Sequence, residues 1–208
     1  MFKIGLTGGI CSGKTFVLNV FNELGCYTLR ADDIAKRLIF LPDSEFIKEI
    51  IDVFGEDIYD ENKGIKKEEF AKILFEDIEK RNFINKIVHP RVLKEQNMIY
   101  KDLAETKIYD FFIYESALLV ESGNYKNFKK TIVVYTNSEE QYNRLMERDK
   151  ISYEDAEKRI KSQFPLSEKL KIANYIIDTT GDFENARAKT FETFHLMKKD
   201  LILNKNII

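Results

Sequence analysis

The sequence predicts an α/β fold, a parallel sheet with helices on both faces, and three observations predict it. Short runs of strand length and apolar character recur at 2–7, 26–29, 107–114, 131–135 and 174–178. Segments of helical periodicity separate them, as the crossover connections between parallel strands require. The first junction, Gly8 to Thr15, is a glycine-rich turn leading from strand to helix.

Each element follows from its pattern. Residues 2–7 read as a buried strand, and after the glycine turn Phe16, Val17, Val20, Phe21 and Leu24 share one helical face, which Gly25 stops. A second strand at 26–29 precedes the pair Asp32-Asp33, placed to cap a helix carrying Ile34, Ala35, Leu38 and Ile39. From about 43 to 105 the pattern is helical almost throughout: Phe46/Ile47/Ile50/Ile51, Phe70/Ile73/Leu74, Phe83/Ile84/Ile87/Val88, and Val92/Leu93 onward after Pro90. This stretch reads as a helical insertion. Strand character returns in KIYDFFIY (107–114) and TIVVY (131–135), aromatic or β-branched runs of the kind buried in a parallel sheet. Residues 138–172 are helical and rich in charge, which fits a mobile lid. A last strand, NYIID (174–178), leads into a closing helix bearing Phe183, Ala186, Phe191 and Phe194.

Composition sets limits. A chain of 208 residues that is 44% hydrophobic buries one substantial core with room for appendages. With 33 Lys plus Arg against 35 Asp plus Glu, the net charge of -2 offers no global attraction to nucleic acid or to an anionic membrane, and neither is expected as a partner. Any anion site must be local. The opening MFKIGL has neither the apolar stretch nor the cleavage site of a signal peptide, and no run approaches the length of a membrane span, so a cytoplasmic protein is expected. In that compartment Cys11 and Cys26 read as free thiols. His89 and His195 lie far apart without a zinc-type cluster, and no structural metal is expected.

The chemistry is concentrated in Gly8-Gly9-Ile10-Cys11-Ser12-Gly13-Lys14-Thr15, a complete match to G-x-x-x-x-G-K-S/T between a strand and a helix. Glycines let successive N–H groups converge on phosphate oxygens, and the helix adds the positive end of its dipole. Lys14 reaches the β- and γ-phosphates, and the Thr15 hydroxyl is the candidate Mg²⁺ ligand. Residues 8–15 with the adjoining Phe16 are therefore the candidate ATP-binding residues, and the fold is of the P-loop NTPase type. Its expected organisation is a nucleotide-binding core of 1–30, 106–137 and 173–208, a helical substrate-binding insertion at 31–105 and a lid at 138–172. The motif alone does not separate a kinase from a GTPase switch or a motor. The insertion and the charged helical segment suit small-molecule and nucleotide kinases, which close over two substrates to exclude water. A guanine-reading N-K-x-D motif is absent from the sequence. A nucleoside or nucleotide kinase and a slowly hydrolysing switch protein stand as the alternatives.

Several segments, in order and spacing, resemble the dephospho-CoA kinases over most of the chain. GLTGGICSGKT resembles that family's GLTGGIGSGKS, with Cys11 where a small residue is usual, and LRADDIAKRL resembles I-D-A-D-x-I-A-R, with Arg30 in place of the first Asp. Val88-His89-Pro90 resembles the family's H-P step, and SALLVESG (116–123) its P-L-L-F-E-[small]-G. QYNRLMERDKISYEDAEKRIKSQFP (141–165) is close to the lid pattern Q-x-x-R-L-x-x-R-D-x-x-S-x-E-x-A-x-x-R-I-x-x-Q-x-P, and ANYIIDTTG (173–181) resembles A-D-x-V-I-D-N-x-G. The resemblance implies transfer of the ATP γ-phosphate to the ribose 3′-hydroxyl of dephospho-CoA, with ATP and Mg²⁺ as co-substrate and metal.

It also implies roles, each with a plainer reading beside it. Asp32 falls on the family's base or hydroxyl-orienting position, or is only a helix N-cap. Arg144 and Arg148, four apart on one helical face, serve ATP phosphates and the transferring group, or pair with Glu140 and Glu147 in solvent. Arg159 and Gln163 on the next helix are weaker candidates. His89 contacts substrate or bonds a carbonyl within its helix, and Glu121 binds substrate or metal at one remove or is a loop carboxylate. Asp110 and Glu115 flank the third strand, whose end carries Glu where a Walker-B strand carries Asp. Cys11, beside Lys14 and a helix N-terminus, is expected to have a lowered thiol pKa.

Overall fold

The computed structural model describes residues 1–41, 46–60 and 64–205. The chain divides into two compact units, one of Met1–Leu29 with Leu103–Ile208 and one of Arg30–Asp102.

The first unit is built on a sheet of β1 (Phe2–Gly8), β2 (Tyr27–Arg30), β5 (Phe111–Glu115), β6 (Lys130–Tyr135) and β7 (Tyr175–Asp178), in the order β2-β5-β1-β6-β7. β1 pairs in parallel with β5 and β6, and β6 with β7. The alternation of side chains along β1 explains the two faces. Phe2, Ile4 and Leu6, with Phe111, Ile113, Ile132, Val134 and Ile177, form one core with Val17, Leu18 and Phe21 of α1 (Lys14–Glu23) and with Met197 and Leu201 of α9 (Phe183–Lys205). On the opposite face a β-carbon at Gly5 would lie 2.6 Å from Leu119, so glycine is what lets that loop close over the strand. β1 is central, and the loop at its carboxyl end opens where ligands enter sheets of this kind.

The charged stretch that follows β6 forms α6 (Ser138–Asp149), α7 (Tyr153–Lys161) and α8 (Leu166–Lys171). Asn137 accepts from the Glu140 N–H and Ser152 from the Asp155 N–H, so α6 and α7 begin on side-chain caps. Lys150, at φ 54, ends α6.

The second unit carries α2 (Ala31–Phe40), α3 (Ile47–Phe54), α4 (Lys67–Glu76) and the 29-residue α5 (Ile78–Thr106), whose last residues belong to the first unit. Its core gathers Ile34, Ile39, Phe46, Ile50, Phe54, Ile58, Ile65, Phe70, Ile84, Val88 and Val92. Two expectations are corrected here. The insertion is not helical throughout: after a 3-10 turn at Glu56–Ile58, β3 (Tyr59–Asp60) and β4 (Gly64–Ile65) pair in antiparallel fashion, where the polar run around Gly64 supplies no helical face. Residues 42–45 and 61–63 of the insertion lie outside the described residues. Pro90 does not divide the helix. It sits inside α5 on an exposed side, four residues from exposed Lys86, whose carbonyl is the one that proline cannot bond. Lastly, Asp32 and Asp33 are not caps. β2 passes straight into α2, Arg30 is the N-cap residue with extended backbone, and the two aspartates occupy the first helical turn.

The strand expected from 107 starts only at Phe111, because Lys107 at φ 57 turns the chain and Ile108 is 73% exposed. Phe183, expected on the core face of the closing helix, is likewise 73% exposed.

Candidate active site

Between the end of β1 at Gly8 and the start of α1 at Lys14 the backbone wraps into a cradle. Gly13 is the N-cap residue of α1 at φ 80, a left-handed conformation that a β-carbon would disfavour, and no side chain caps the helix. The N–H groups of its first turn thus face outward without an intrahelical partner, as an anion site requires. Lys14 Nζ lies over the loop, donating to the Gly9 carbonyl at 2.7 Å and the Gly8 carbonyl at 3.3 Å. Thr15 is exposed at the second helical position, and the buried Ser12 Oγ has no hydrogen-bond partner.

The floor of the cradle is set by the segment after β7. Thr179 Oγ1 donates to the Ser12 carbonyl at 2.9 Å and lies 3.1 Å from the Tyr135 carbonyl, joining the loop to two strand ends. Arg144 Nη2 donates to the Thr179 carbonyl at 2.8 Å and the Gly181 carbonyl at 3.2 Å, and forms a short ion pair with Glu140. Glu140 in turn accepts from the Gly181 N–H at 2.7 Å. The guanidinium is thereby fixed flat against the 179–181 turn. Beside it opens a cavity of about 350 Å³ lined by Gly13, Phe16, Arg144, Thr179, Gly181, Asp182, Phe183 and Ala186. The rings of Phe16 and Phe183 stand 5.0 Å apart on its wall, which is why Phe183 is absent from the core.

On the next turn of α6 a second cluster forms. Asp149 accepts from Arg148 Nε at 2.7 Å and from Arg148 Nη2 at 3.1 Å, and Arg159 of α7 closes a short contact on the same carboxylate. The hydrogen bond from Arg148 holds the Asp149 carboxyl below the usual carboxylate range, and Asp149 raises the Arg148 guanidinium in return. Arg148, Lys14 and Arg144 all act electrostatically on the Cys11 thiol, so three cations converge on the loop. Yet burial outweighs them and pushes that thiol up, correcting the expectation of a lowered pKa. Cys11 stands at φ 55, where the loop turns most sharply.

The other candidates are dispersed. Glu121 is paired at 2.7 Å with Lys169, a side chain only 1% exposed that also donates to the Ala117 carbonyl at 3.0 Å. It ties the loop after β5 to α8. Glu115 ends β5 opposite Leu6 and is buried, at the cradle end of the sheet, whereas Asp110 precedes the strand and pairs with Lys198 at 2.8 Å. Asp32 is exposed in the first turn of α2 and His89 is half-buried in α5, both on the second unit. Sequence reasoning missed three contributors. Lys169 sits in a short charged helix that reads as a solvated face. Thr179 reads as a turn residue. Gln141 lies within the pattern quoted for 141–165 but was not singled out, although its Nε2 donates to the Ile10 carbonyl at 2.8 Å. Gln163, weighed only as a weak candidate, accepts from the Ile10 N–H at 2.7 Å.

Comparison with known proteins completes the description. The family model for dephospho-CoA kinase matches residues 2–185. The chain is 38% identical over 200 residues to a dephospho-CoA kinase of Aquifex aeolicus, covering 96% of this chain and 100% of that protein. It is 41% identical over 182 residues to one of Fusobacterium nucleatum, covering 88% and 91%. Among solved structures, dephospho-CoA kinase from Campylobacter jejuni superposes with a TM-score of 0.71 at 28% identity over 95% of this chain and 98% of that one. With a complete cradle at the end of the central strand, an arginine-bearing helical segment beside it and these matches along nearly its whole length, the chain belongs to the dephospho-CoA kinase family.

Proposed function

We propose that this chain transfers the γ-phosphoryl group of ATP to the ribose 3′-hydroxyl of dephospho-CoA, giving CoA and ADP. The observation that carries the reading is the uncapped N-terminus of α1 behind a complete phosphate loop, in a chain whose family is shared over residues 2–185. Phosphates enter the cradle of residues 8–15, and the adenine takes the 350 Å³ cavity between the Arg144 guanidinium and the Phe16 and Phe183 rings. In that pose Arg144 acts on the purine side, and Lys14 and Arg148 face the phosphates.

Phosphoryl transfer with a loose transition state asks the protein for position and for positive charge. Lys14 leaves the Gly8 and Gly9 carbonyls for the β- and γ-oxygens, supplying a cation where negative charge spreads over the transferring group. Asp32 orients the acceptor hydroxyl and takes its proton, His89 lies along the acceptor site, and Glu121 holds the 116–123 loop through Lys169. The 138–172 segment serves as the lid that excludes water. Among the described residues no group of three or more His, Cys, Asp or Glu gathers to hold a metal. Oxygen donors of the kind Thr15 and Glu115 offer fit Mg²⁺, which keeps waters and phosphate oxygens and asks little of the protein. Thr15 would hold it directly, with Glu115 the buried carboxylate at the same end of the sheet, and when bound it neutralises charge on the β- and γ-phosphates.

The free thiols of Cys11 and Cys26 support a cytoplasmic setting for the reaction. No described helix is long and apolar enough to cross a membrane. The test is a panel of acceptor alcohols, dephospho-CoA, nucleosides and nucleoside monophosphates, with γ-labelled ATP. Label should pass to dephospho-CoA alone; equal or better labelling of a nucleotide would overturn the assignment.

A further inference from the structure

One residue of the cradle is held at both of its backbone polar groups by side chains from far along the chain. The Ile10 N–H donates to Gln163 Oε1 at 2.7 Å, and the Ile10 carbonyl accepts from Gln141 Nε2 at 2.8 Å. Chemistry forces these orientations, since the N–H only donates and the carbonyl only accepts; Gln163 must present its oxygen and Gln141 its nitrogen. The approach is close. A β-carbon at Gly9 would lie 2.7 Å from Gln141 Nε2, so glycine at this position is what admits the Gln141 amide.

This stretch needs outside support. β1 ends at Gly8 and α1 begins at Lys14; the Gly13 carbonyl accepts from Val17 at 3.1 Å and the Ser12 carbonyl from Thr179 at 2.9 Å, but before them the loop's own backbone supplies only a long Ser12 N–H contact to the Gly9 carbonyl at 3.3 Å. The next residue, Cys11, holds a left-handed backbone that its β-carbon disfavours. Left alone, the loop would relax toward conformers whose N–H groups no longer converge. Gln141 lies on α6 one turn before Arg144, and Gln163 follows α7 just beyond Arg159, so the two bonds also seat the arginine-bearing segment against the loop.

We propose that Gln141 and Gln163 are positioning residues of the phosphate cradle, clamping Ile10 through the two peptides that flank its Cα so that ATP affinity depends on the seating of the α6–α7 segment. The inference rests on the reading that ATP phosphates occupy the cradle. It predicts a selective loss: binding of ATP weakens, whereas the acceptor site is untouched.

The experiment uses Gln141→Met and Gln163→Met, which keep side-chain length and remove the hydrogen-bonding amide, together with the double variant. ATP affinity of the free enzyme is read by calorimetry, KM for each substrate and kcat by CoA formation, and stability by Tm. Each single variant should weaken ATP binding about tenfold, with Tm within a few degrees and the KM for dephospho-CoA within about twofold. The double variant should bind ATP little worse than either single one, because both fix the same residue and loss of either bond frees it. Alkylation of Cys11 in the ligand-free protein should quicken severalfold as the loop loosens, while Cys26, 2% exposed, stays protected. ATP affinity within twofold of wild type in both single variants would overturn the proposal. So would losses that multiply in the double variant, or equal losses for both substrates accompanied by a large fall in Tm. If the wild-type protein itself fails to bind ATP, the functional reading falls; if it binds and the variants bind as well, this inference alone falls.

Discussion

Replacing Asp32 by Asn separates chemistry from scaffold, and the structure sets the size of each effect. Were Asp32 the N-cap of α2, Asn would replace it at little cost and the substitution would leave the cap in place. The N-cap is instead Arg30, and Asp32 occupies the first turn with its side chain exposed and no capping hydrogen bond. What folding loses is then only the favourable placement of a charge near the positive end of the helix dipole, about 0.3 kcal/mol for an exposed group. In a chain of this size that lowers Tm by about 1 °C. Turnover should respond on another scale. An amide cannot accept the hydroxyl proton, and although the proton moves late in a loose transition state the orienting bond is lost as well, so kcat should fall on the order of 10²- to 10⁴-fold, about 3–5 kcal/mol of barrier. The assay is kcat for CoA formation beside ATP affinity and Tm for both proteins. The neighbouring carboxylate, Asp33, faces the Arg30 guanidinium at 3.6 Å and is not expected to take over the role. Activity within a few-fold of wild type would refute the reasoning and send the search for the base elsewhere.

Three further outcomes follow from the geometry. Lys14→Ala should cost at least about 10²-fold in kcat/KM with an unchanged circular dichroism spectrum, since Nζ lies over the loop and not in the core; wild-type turnover by the folded variant would contradict it. Glu121→Leu leaves the Lys169 ammonium, 1% exposed, without its counterion, a loss of about 3 kcal/mol that lowers Tm by about 6–12 °C, and Lys169→Met in the same chain should recover much of it; a Tm unmoved by the single substitution would show the pair to be inconsequential. Burial pushes the Cys26 thiol up to about 12, so the folded state keeps a proton that the unfolded chain releases near pH 9. Stability from this group is therefore complete below about pH 9 and is lost as pH rises toward about 12; the alkaline limb of stability against pH should be shallower in Cys26→Ala, and an unchanged limb would count against it.

The fold was legible where apolar periodicity and glycine punctuation agree. Each strand of the large sheet stands within a few residues of its apolar run, because buried parallel strands advertise themselves on both faces. The cradle was legible because its backbone demand leaves glycines at fixed spacing. Legibility failed where the deciding force is tertiary. The β3–β4 pair has two residues on each strand, too few to show an alternating pattern, and α5 runs through Pro90, which lies on an exposed side of the helix. Asp32 looked like a cap because strand and helix meet without the loop that a capping residue ordinarily ends. Phe183 matched the apolar stripe of its helix, yet it turns toward Phe16 and a cavity that exists only once 13–16, 144 and 179–186 are assembled. The Cys11 thiol misled for a related reason: sequence shows the neighbouring cations but not the burial that outweighs them. Gln141 is legible only as a letter of a pattern and Gln163 only as a weaker candidate, since nothing local ties either to a residue more than a hundred positions away.

The central claim is that the cradle and its cations pass phosphate to one particular alcohol, and label transfer from γ-labelled ATP tests it most directly. With purified protein, Mg²⁺ and equal concentrations of dephospho-CoA, nucleosides and nucleoside monophosphates, the account predicts label on the ribose 3′-oxygen of CoA, negligible release to water, and loss of both ATP binding and transfer on adding EDTA or substituting Lys14. Label appearing chiefly as free phosphate, at a rate indifferent to dephospho-CoA, would contradict it.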